Sequence, residues 1–472
     1  MTTSEILSGL FEKQFKQQPE SIKQLPQSGS ERIYYRLQNS QYCVIGAFNA
    51  NEGENEAFFS FTETFRKLQF SVPEILVIAP DRKHYLLSDL GDETLSDYLK
   101  RSEKGNKLEL FQKILDLLLK IQLEGGKHID FGKCYPRAAF DWQSIFWDLN
   151  YFKYEFLKLA AIPFDEQALE DDFHRLANKL LEAGQSFFMY RDFQSRNIMM
   201  KDDEPCFIDY QGGRKGPLHY DVASLLYSPK SALDEGEREQ LLLFYAKSAC
   251  QLSNVDLQTF KKQFYVFALI RILQALGAYG FRGLYERKPG FSESIATAIG
   301  NLNSLFNENK IAVELPEIKK IAARLQASKW ADQYQADPDQ LTLRITSFSY
   351  KKGIPDDPSG NGGGFVFDCR GLPNPGRLEA YRSLSGLDSE VINYLEQYPQ
   401  VATFQKQLRK ILEISINEYL TRGFKHLCVN FGCTGGQHRS VYQAEKFAAW
   451  VKNNYPVKVV LLHNEEKHWS KK

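Results

Sequence analysis

The chain has 472 residues, 43% of them hydrophobic, and its 59 Lys+Arg equal its 59 Asp+Glu. That length exceeds one ordinary core and implies two or three domains, while the zero net charge assigns no strongly charged partner to the molecule as a whole. Seven scattered cysteines, without C-x-x-C or a His/Cys cluster at zinc spacing, fit reduced thiols better than a disulfide framework. The opening MTTSEILSGLFEKQF lacks the basic start and apolar run of a signal peptide. No segment supplies the roughly 18 uncharged apolar residues of a membrane span. The expectation is a soluble, cytoplasmic protein without a membrane partner.

The first ninety residues read as a small sheet carrying one helix. ERIYYRLQ and QYCVIGAF are aromatic and β-branched runs separated by Asn39-Ser40, a hairpin. NEGENEAFFSFTETFRKL has apolar residues at helical spacing, and PEILVIA and HYLLSDL are further strands. From DLGDETLSDYL onward the pattern is helical. KLELFQKILDLLLKIQLEG closes on Gly125-Gly126, and TFKKQFYVFALIRILQALGAYGF is a long, buried helix. Between them lies a short β-rich island, SFFMYRDFQSRNIMMKDDEPCFIDYQGG. Polar residues with Pro338 as punctuation mark a linker over 331–340. Beyond it strands LTLRITSFSY, FVFDCRGL, HLCVNFG and VKVVLLH alternate with helices and a Gly-rich loop, which predicts a mostly parallel sheet. Residues 341–472 hold 18 Lys+Arg against 12 Asp+Glu, a balance that suits an anionic ligand or RNA as well as a solvated surface.

The β-rich island carries candidate chemistry. Phosphoryl transfer from ATP needs a group on the acceptor proton, oxygen ligands for Mg²⁺ and donors over the phosphates. In YRDFQSRNIM, Asp192 stands on a tight loop and Asn197 follows five residues later; Asp209 then ends the apolar run CFI. Asp-x₄-Asn followed by apolar-apolar-Asp is the protein-kinase arrangement. The order GSERIYYRL, LLSDLGDETL, YRDFQSRNIM, FIDYQ and LHYDVASLL resembles the aminoglycoside-phosphotransferase/choline-kinase superfamily over 1–330, nearest to the AmgK-type cell-wall amino-sugar kinases.

That resemblance implies an α+β bilobal, protein-kinase-like region with a small lobe over 1–90 and a large helical lobe over 91–330, using ATP and Mg²⁺. It makes Asp192 the catalytic base, Asn197 and Asp209 the metal ligands, and Ser88, Asp89 and Leu90 the hinge beside adenine. Tyr190, Arg191, Arg196 and Asp221 would support the loop. Two departures stand out. Tyr190 replaces the usual histidine, and QYCVIGAF has no lysine for the ATP phosphates. Gly29 is the one glycine of SGSERIYYR that would lie over the phosphates; Arg32 or Arg36 would supply the missing charge, leaving Glu56 without a fixed partner.

GCTGGQHRS, residues 432–440, admits two readings. Cys433-x₅-Arg439 has the spacing of a tyrosine-phosphatase loop, a thiolate at a helix N-terminus near an arginine. The same glycines could form a nest, with the amides of Thr434, Gly435 and Gly436 facing an anion. Together with SFSYKKGIP and FVFDCRGLPNP, the segment resembles the C-terminal domain of RapZ across roughly 345–465. That family's domain binds an amino-sugar phosphate and a small regulatory RNA. The resemblance implies an α/β anion pocket of Lys352, Asp368, Arg370, Cys433, Thr434, Gly435, Gly436, His438, Arg439 and Ser440, over 341–472. Lys352 stands where RapZ has a histidine.

The joint expectation is an ATP/Mg²⁺ phosphotransferase acting on a sugar or amino-sugar hydroxyl, the anomeric one of an N-acetyl amino sugar, fused to a phosphosugar- or RNA-binding domain. The alternatives are a degenerate kinase fold serving as a nucleotide-responsive, RNA-binding regulator, and a Cys433 phosphatase.

Overall fold

The computed structural model describes residues 2–26, 32–101, 107–253, 255–286, 288, 291, 293–327, 340–355, 357 and 364–469. The chain divides into two compact units, one of Met1–Phe281 with Thr297–Arg324 and one of Arg282–Ala296 with Leu325–Lys472. The segment Arg282–Ala296, read from sequence as part of the large lobe, groups with the C-terminal unit. Of the linker at 331–340, only Gln340 falls among the described residues.

The N-terminal sheet has five strands: β1 (Ser21–Gln24), β2 (Ile33–Gln38), β3 (Cys43–Phe48), β4 (Ile75–Ile78) and β5 (His84–Ser88), in the order β1-β2-β3-β5-β4. Every pairing is antiparallel. Two helices accompany the sheet where the sequence reading had one. The unread helix, Thr3–Phe15, starts on a capping box in which Thr2 and Glu5 satisfy each other's backbone N–H groups. It buries Leu7, Leu10 and Phe11 against Leu37, Val44 and Leu86. The second helix, Glu52–Lys67, is capped by Asn51 and buries Phe58, Phe59, Phe61 and Phe65. Each such ring taken from water contributes about 1.5–3 kcal/mol.

The remainder of this unit is helical apart from two small ladders, β6 (Phe187–Met189) with β9 (Arg214–Gly216) and β7 (Ile198–Lys201) with β8 (Glu204–Phe207). These ladders hold the island's loop at both ends. The helix Leu257–Tyr279 buries its side chains almost all round from Phe264 to Leu273. Its extension to Tyr285 is long and apolar enough to cross a bilayer, but 72% of that apolar window is buried inside the protein, the pattern of a core helix.

The C-terminal sheet has the order β11-β12-β10-β13, with β10 (Thr342–Ser349), β11 (Phe365–Asp368), β12 (His426–Cys433) and β13 (Lys458–His463). All three pairings are parallel, as the strand–helix alternation implies. All eight residues of β10 are buried, as a central strand covered on both faces requires. The chain leaves β10 towards the β11 side and leaves β12, through helix Arg439–Asn454, towards β13. The carboxyl ends of β10 and β12 therefore flank the point where strand order reverses, the crevice in which open α/β sheets take ligands.

Candidate active site and C-terminal pocket

The loop after β6 is held in a strained form by buried partners. Arg191 has φ +83° and Asp209 has φ +69°, both in the left-handed region that non-glycine residues avoid. Asp221, on helix His219–Leu226, fixes the first of these. Its carboxylate accepts the Tyr190 N–H at 2.7 Å, the Arg191 N–H at 2.9 Å and the Gln122 amide at 2.9 Å. The Tyr190 hydroxyl donates to the Ile208 carbonyl at 2.6 Å, so the residue in place of the usual histidine ties the loop to the strand end that presents Asp209.

Asn197 joins the two predicted functional carboxylate positions. Its Nδ2 donates to the Asp192 carbonyl at 2.8 Å and to Asp209 Oδ2 at 3.0 Å. Its Oδ1 takes no part in either bond, and Gln211 donates to the other Asp209 oxygen at 2.8 Å. A carboxylate and a carboxamide on hydrogen-bonded residues supply the kind of oxygen donors Mg²⁺ takes.

Asp192 acts electrostatically on three arginines. Arg191 is clamped by Asp148, at 2.8 and 2.5 Å. Arg214 is buried, donates to Ser144 and the Gly212 carbonyl, and is pulled down to about 10 by burial and by neighbouring Arg191. Arg271 is buried and donates to Tyr220 and Gln274. Among the described residues, neither Arg214 nor Arg271 has a carboxylate at ion-pair distance, and Asp192 acts electrostatically on both. Sequence reasoning missed Asp148, Arg214, Tyr220 and Arg271. Only Asp148, a lone charge in the apolar helix run IFWDLNYF, carried any local signal.

Several sequence-predicted residues stand elsewhere than expected. Arg196 is exposed and makes no hydrogen bond or ion pair among the described residues, so the bracing expected of two arginines rests on Arg191. Arg36, expected over the phosphates, pairs instead with Asp89 at 2.6 and 3.1 Å and with Asp92 at 2.9 Å. Asp89, expected at the hinge, is thereby the partner of Arg36. Ser88 is tied to Glu74 by two 2.9 Å bonds, and Leu90 is half-buried beside them. Glu56 does have a partner, Arg82. Arg32 is buried and pairs with Glu54 at 3.3 Å. Gly29 lies outside the described residues.

In the C-terminal unit the loop after β12 turns at Gly436, φ +68°, whose N–H donates to the buried Cys433 Sγ at 3.2 Å; Ser440 Oγ lies 3.1 Å from the same sulfur. Arg439 is buried and donates to the carbonyls of Arg370 at 2.7 Å and Leu372 at 3.0 Å. His438, expected to touch a ligand, meets the Tyr381 carbonyl at 2.8 Å, and burial holds its ring below the usual imidazole range. The arginine of the phosphatase spacing thus commits one guanidinium nitrogen to backbone carbonyls, and the sulfur is contacted from within the fold. What faces outward is exposed Thr434 and Gly435, with Lys352 paired to Glu465 at 2.7 Å. Arg370 pairs with Asp368 at 2.7 Å and lies 4.1 Å over the Tyr350 ring.

Comparison with known proteins finds two separate matches along the chain. The family model described as "Phosphotransferase enzyme family" matches residues 21–252, and that of the RapZ C-terminal domain matches residues 341–467. A "nucleotide-binding protein" of Xylella fastidiosa (strain 9a5c) is 39% identical over 127 residues, covering 27% of this chain and 42% of its own length. One from Psychrobacter sp. (strain PRwf-1) is 34% identical over 199 residues, 42% of this chain and 58% of its own. The chain thus spans about half the length of these curated relatives. Among solved structures, choline kinase from Cryptosporidium parvum Iowa II is 13% identical, covers 65% of this chain and 97% of its own, and has a TM-score of 0.48. Choline kinase LicA from Streptococcus pneumoniae is 14% identical, covers 64% and 98%, and has a TM-score of 0.45. An ADP-bound aminoglycoside phosphotransferase is 16% identical, covers 62% and 97%, and has a TM-score of 0.43. Residues 21–252 thus match the phosphotransferase enzyme family, and residues 341–467 match the RapZ C-terminal domain, on one chain.

Proposed function

We propose that the N-terminal unit is an ATP- and Mg²⁺-dependent small-molecule kinase whose acceptor is a sugar hydroxyl, the anomeric one of an N-acetyl amino sugar. The observation that carries this reading is the Asn197 amide bridging the Asp192 backbone and the Asp209 carboxylate, at 2.8 and 3.0 Å. Asp192 takes or orients the proton of the acceptor hydroxyl. Asn197 Oδ1 and Asp209 would hold the metal, which would neutralise charge on the phosphates. Tyr190, Arg191 and Asp221 keep the loop in its strained form.

The charges beside Asp192 support an acceptor without a free amine. Buried Arg214 and Arg271 oppose a protonated amine near the reacting hydroxyl, whereas an N-acetyl group is neutral and offers a carbonyl acceptor. The test is ADP release, with the phosphorylated product identified by mass, for a matched trio: a neutral sugar, its N-acetylated amino form and its free-amine form. The N-acetyl compound is expected to be the best acceptor. Preference for the free amine would sink this acceptor assignment.

The C-terminal unit binds an anion, a phosphorylated sugar, at the carboxyl ends of β10 and β12, where Thr434, Gly435 and Lys352 are presented. A second reading, RNA on the same unit, has its own support. Between helices Pro399–Thr421 and Arg439–Asn454 runs a groove of about 590 Å³ that includes Lys406, Arg409, Lys410, Trp450 and Tyr455, the pairing of cations with aromatic rings that single strands use.

A further inference from the structure

In kinase-like folds a strand lysine faces the ATP phosphates, and β3, Cys-Val-Ile-Gly-Ala-Phe, has none. Two cations of the neighbouring strand region remain to supply the charge. Arg36 is committed at the hinge, where its guanidinium is shared between the carboxylates of Asp89 and Asp92. Arg32, immediately before β2, is placed differently. Only 3% of its side chain is exposed, and among the described residues its one carboxylate partner is Glu54 Oε2 at 3.3 Å. Its NH1 reaches the Tyr34 hydroxyl at 3.3 Å. Its Nε has no hydrogen-bond partner among the described residues, and neither does the hydroxyl of fully buried Tyr85.

Glu54 is itself fixed. Asn49 Nδ2 donates to the same Oε2 at 3.0 Å, and Asn51 caps the helix by accepting the Glu54 N–H at 3.2 Å. The Phe58 ring lies 5.8 Å from the guanidinium carbon. Asp209, which the proposed function makes a metal ligand, acts electrostatically on both Arg32 and Tyr85. A guanidinium taken almost wholly out of water, with one partly exposed carboxylate partner and a donor unpartnered among the described residues, is an expensive arrangement for a purely structural pair. It suits a site where further negative charge arrives.

We infer that Arg32, clamped by Glu54 from helix Glu52–Lys67, supplies the fixed positive charge on the phosphate side of the nucleotide site, doing from the start of β2 what a strand lysine does from β3. This rests on the phosphotransferase reading. A guanidinium stays charged at any pH the enzyme meets, and its remaining donors match phosphate oxygens. Glu54 sets its position, so the pair Arg32–Glu54 links the helix to the start of β2.

The test titrates the full chain with Mg-ATP, Mg-ADP and adenosine, comparing wild type with Arg32→Gln, Arg32→Lys and Glu54→Gln. Loss of a charge-assisted phosphate interaction in Arg32→Gln is expected to weaken ATP by about tenfold or more, and adenosine by less than about twofold. Arg32→Lys recovers most of the loss, and Glu54→Gln shows a smaller loss of the same pattern. Unaltered adenosine affinity also reports that each variant is folded. Equal weakening of ATP and adenosine, or wild-type ATP affinity in Arg32→Gln, overturns the inference while Asp192-dependent turnover leaves the kinase reading standing. Wild-type protein that binds no ATP removes both.

Discussion

Asp221 carries two opposed demands. Burial pushes its carboxyl up from 3.8 to about 6, against the pull of the Tyr190 and Arg191 amides and Gln122. With the folded-state value above the unfolded one, the folded protein holds a proton that the unfolded chain has released between them. Ionising Asp221 therefore costs stability as pH rises through that window, by about 3 kcal/mol at the linkage rate of about 1.4 kcal/mol per unit. His219 works the other way, since burial pulls its imidazole down to about 3 and stability is lost as pH falls below the ordinary histidine value. Comparison with Asp221→Asn separates the two. Wild type should lose thermal stability relative to the variant between about pH 4 and 6, with a constant difference above about pH 7. A difference independent of pH across that window would contradict the assignment. The strain at Arg191 explains why the cost is retained, because the ionised carboxylate holds two amides in a conformation the chain does not otherwise favour.

At the scale of elements, helix Glu52–Lys67 is the link between the sheet and the metal-side carboxylate. Phe58 stacks on Tyr210 at 5.4 Å, the residue after Asp209, and Thr62 shares a 2.6 Å hydrogen bond with the Tyr210 hydroxyl. Phe58→Ala is expected to cost about 3–5 kcal/mol in thermal or denaturant unfolding of the N-terminal unit, and Phe58→Leu clearly less. A loss below about 1 kcal/mol for the alanine variant would mean that the helix docks by other contacts. Elements were the most legible level in the sequence. The β2–β3 hairpin, helix Glu52–Lys67 and all four strands of the parallel sheet followed from local periodicity and turn residues. Helix Thr3–Phe15 was overlooked although Thr2 and Glu5 carry the capping-box signature. β1, with an exposed and polar pattern, offered no alternation to read.

For the molecule as a whole, motif spacing picked out the candidate phosphate site but not the charges around it. Asp192, Asn197 and Asp209 lie close in sequence, and the fold brings them together. Asp148, Arg214 and Arg271 reach the same place from β9 and two distant helices, and a contact made across the fold leaves no trace in spacing. Cys433-x₅-Arg439 is the converse. Its spacing was legible, but the direction of the arginine depends on the carbonyls of Arg370 and Leu372, more than sixty residues away. One chain therefore carries a segment similar to the phosphotransferase enzyme family and one similar to the RapZ C-terminal domain, each with its own candidate anion site.

The central claim is tested most directly by product analysis with Mg-ATP and an N-acetyl amino sugar, wild type beside Asp192→Asn. Wild type should form ADP and phosphorylated acceptor in equal amounts. Asp192→Asn should bind ATP yet turn over about 10²–10⁴-fold more slowly. Wild-type turnover in Asp192→Asn, or ADP formed without a phosphorylated acceptor, would contradict the account.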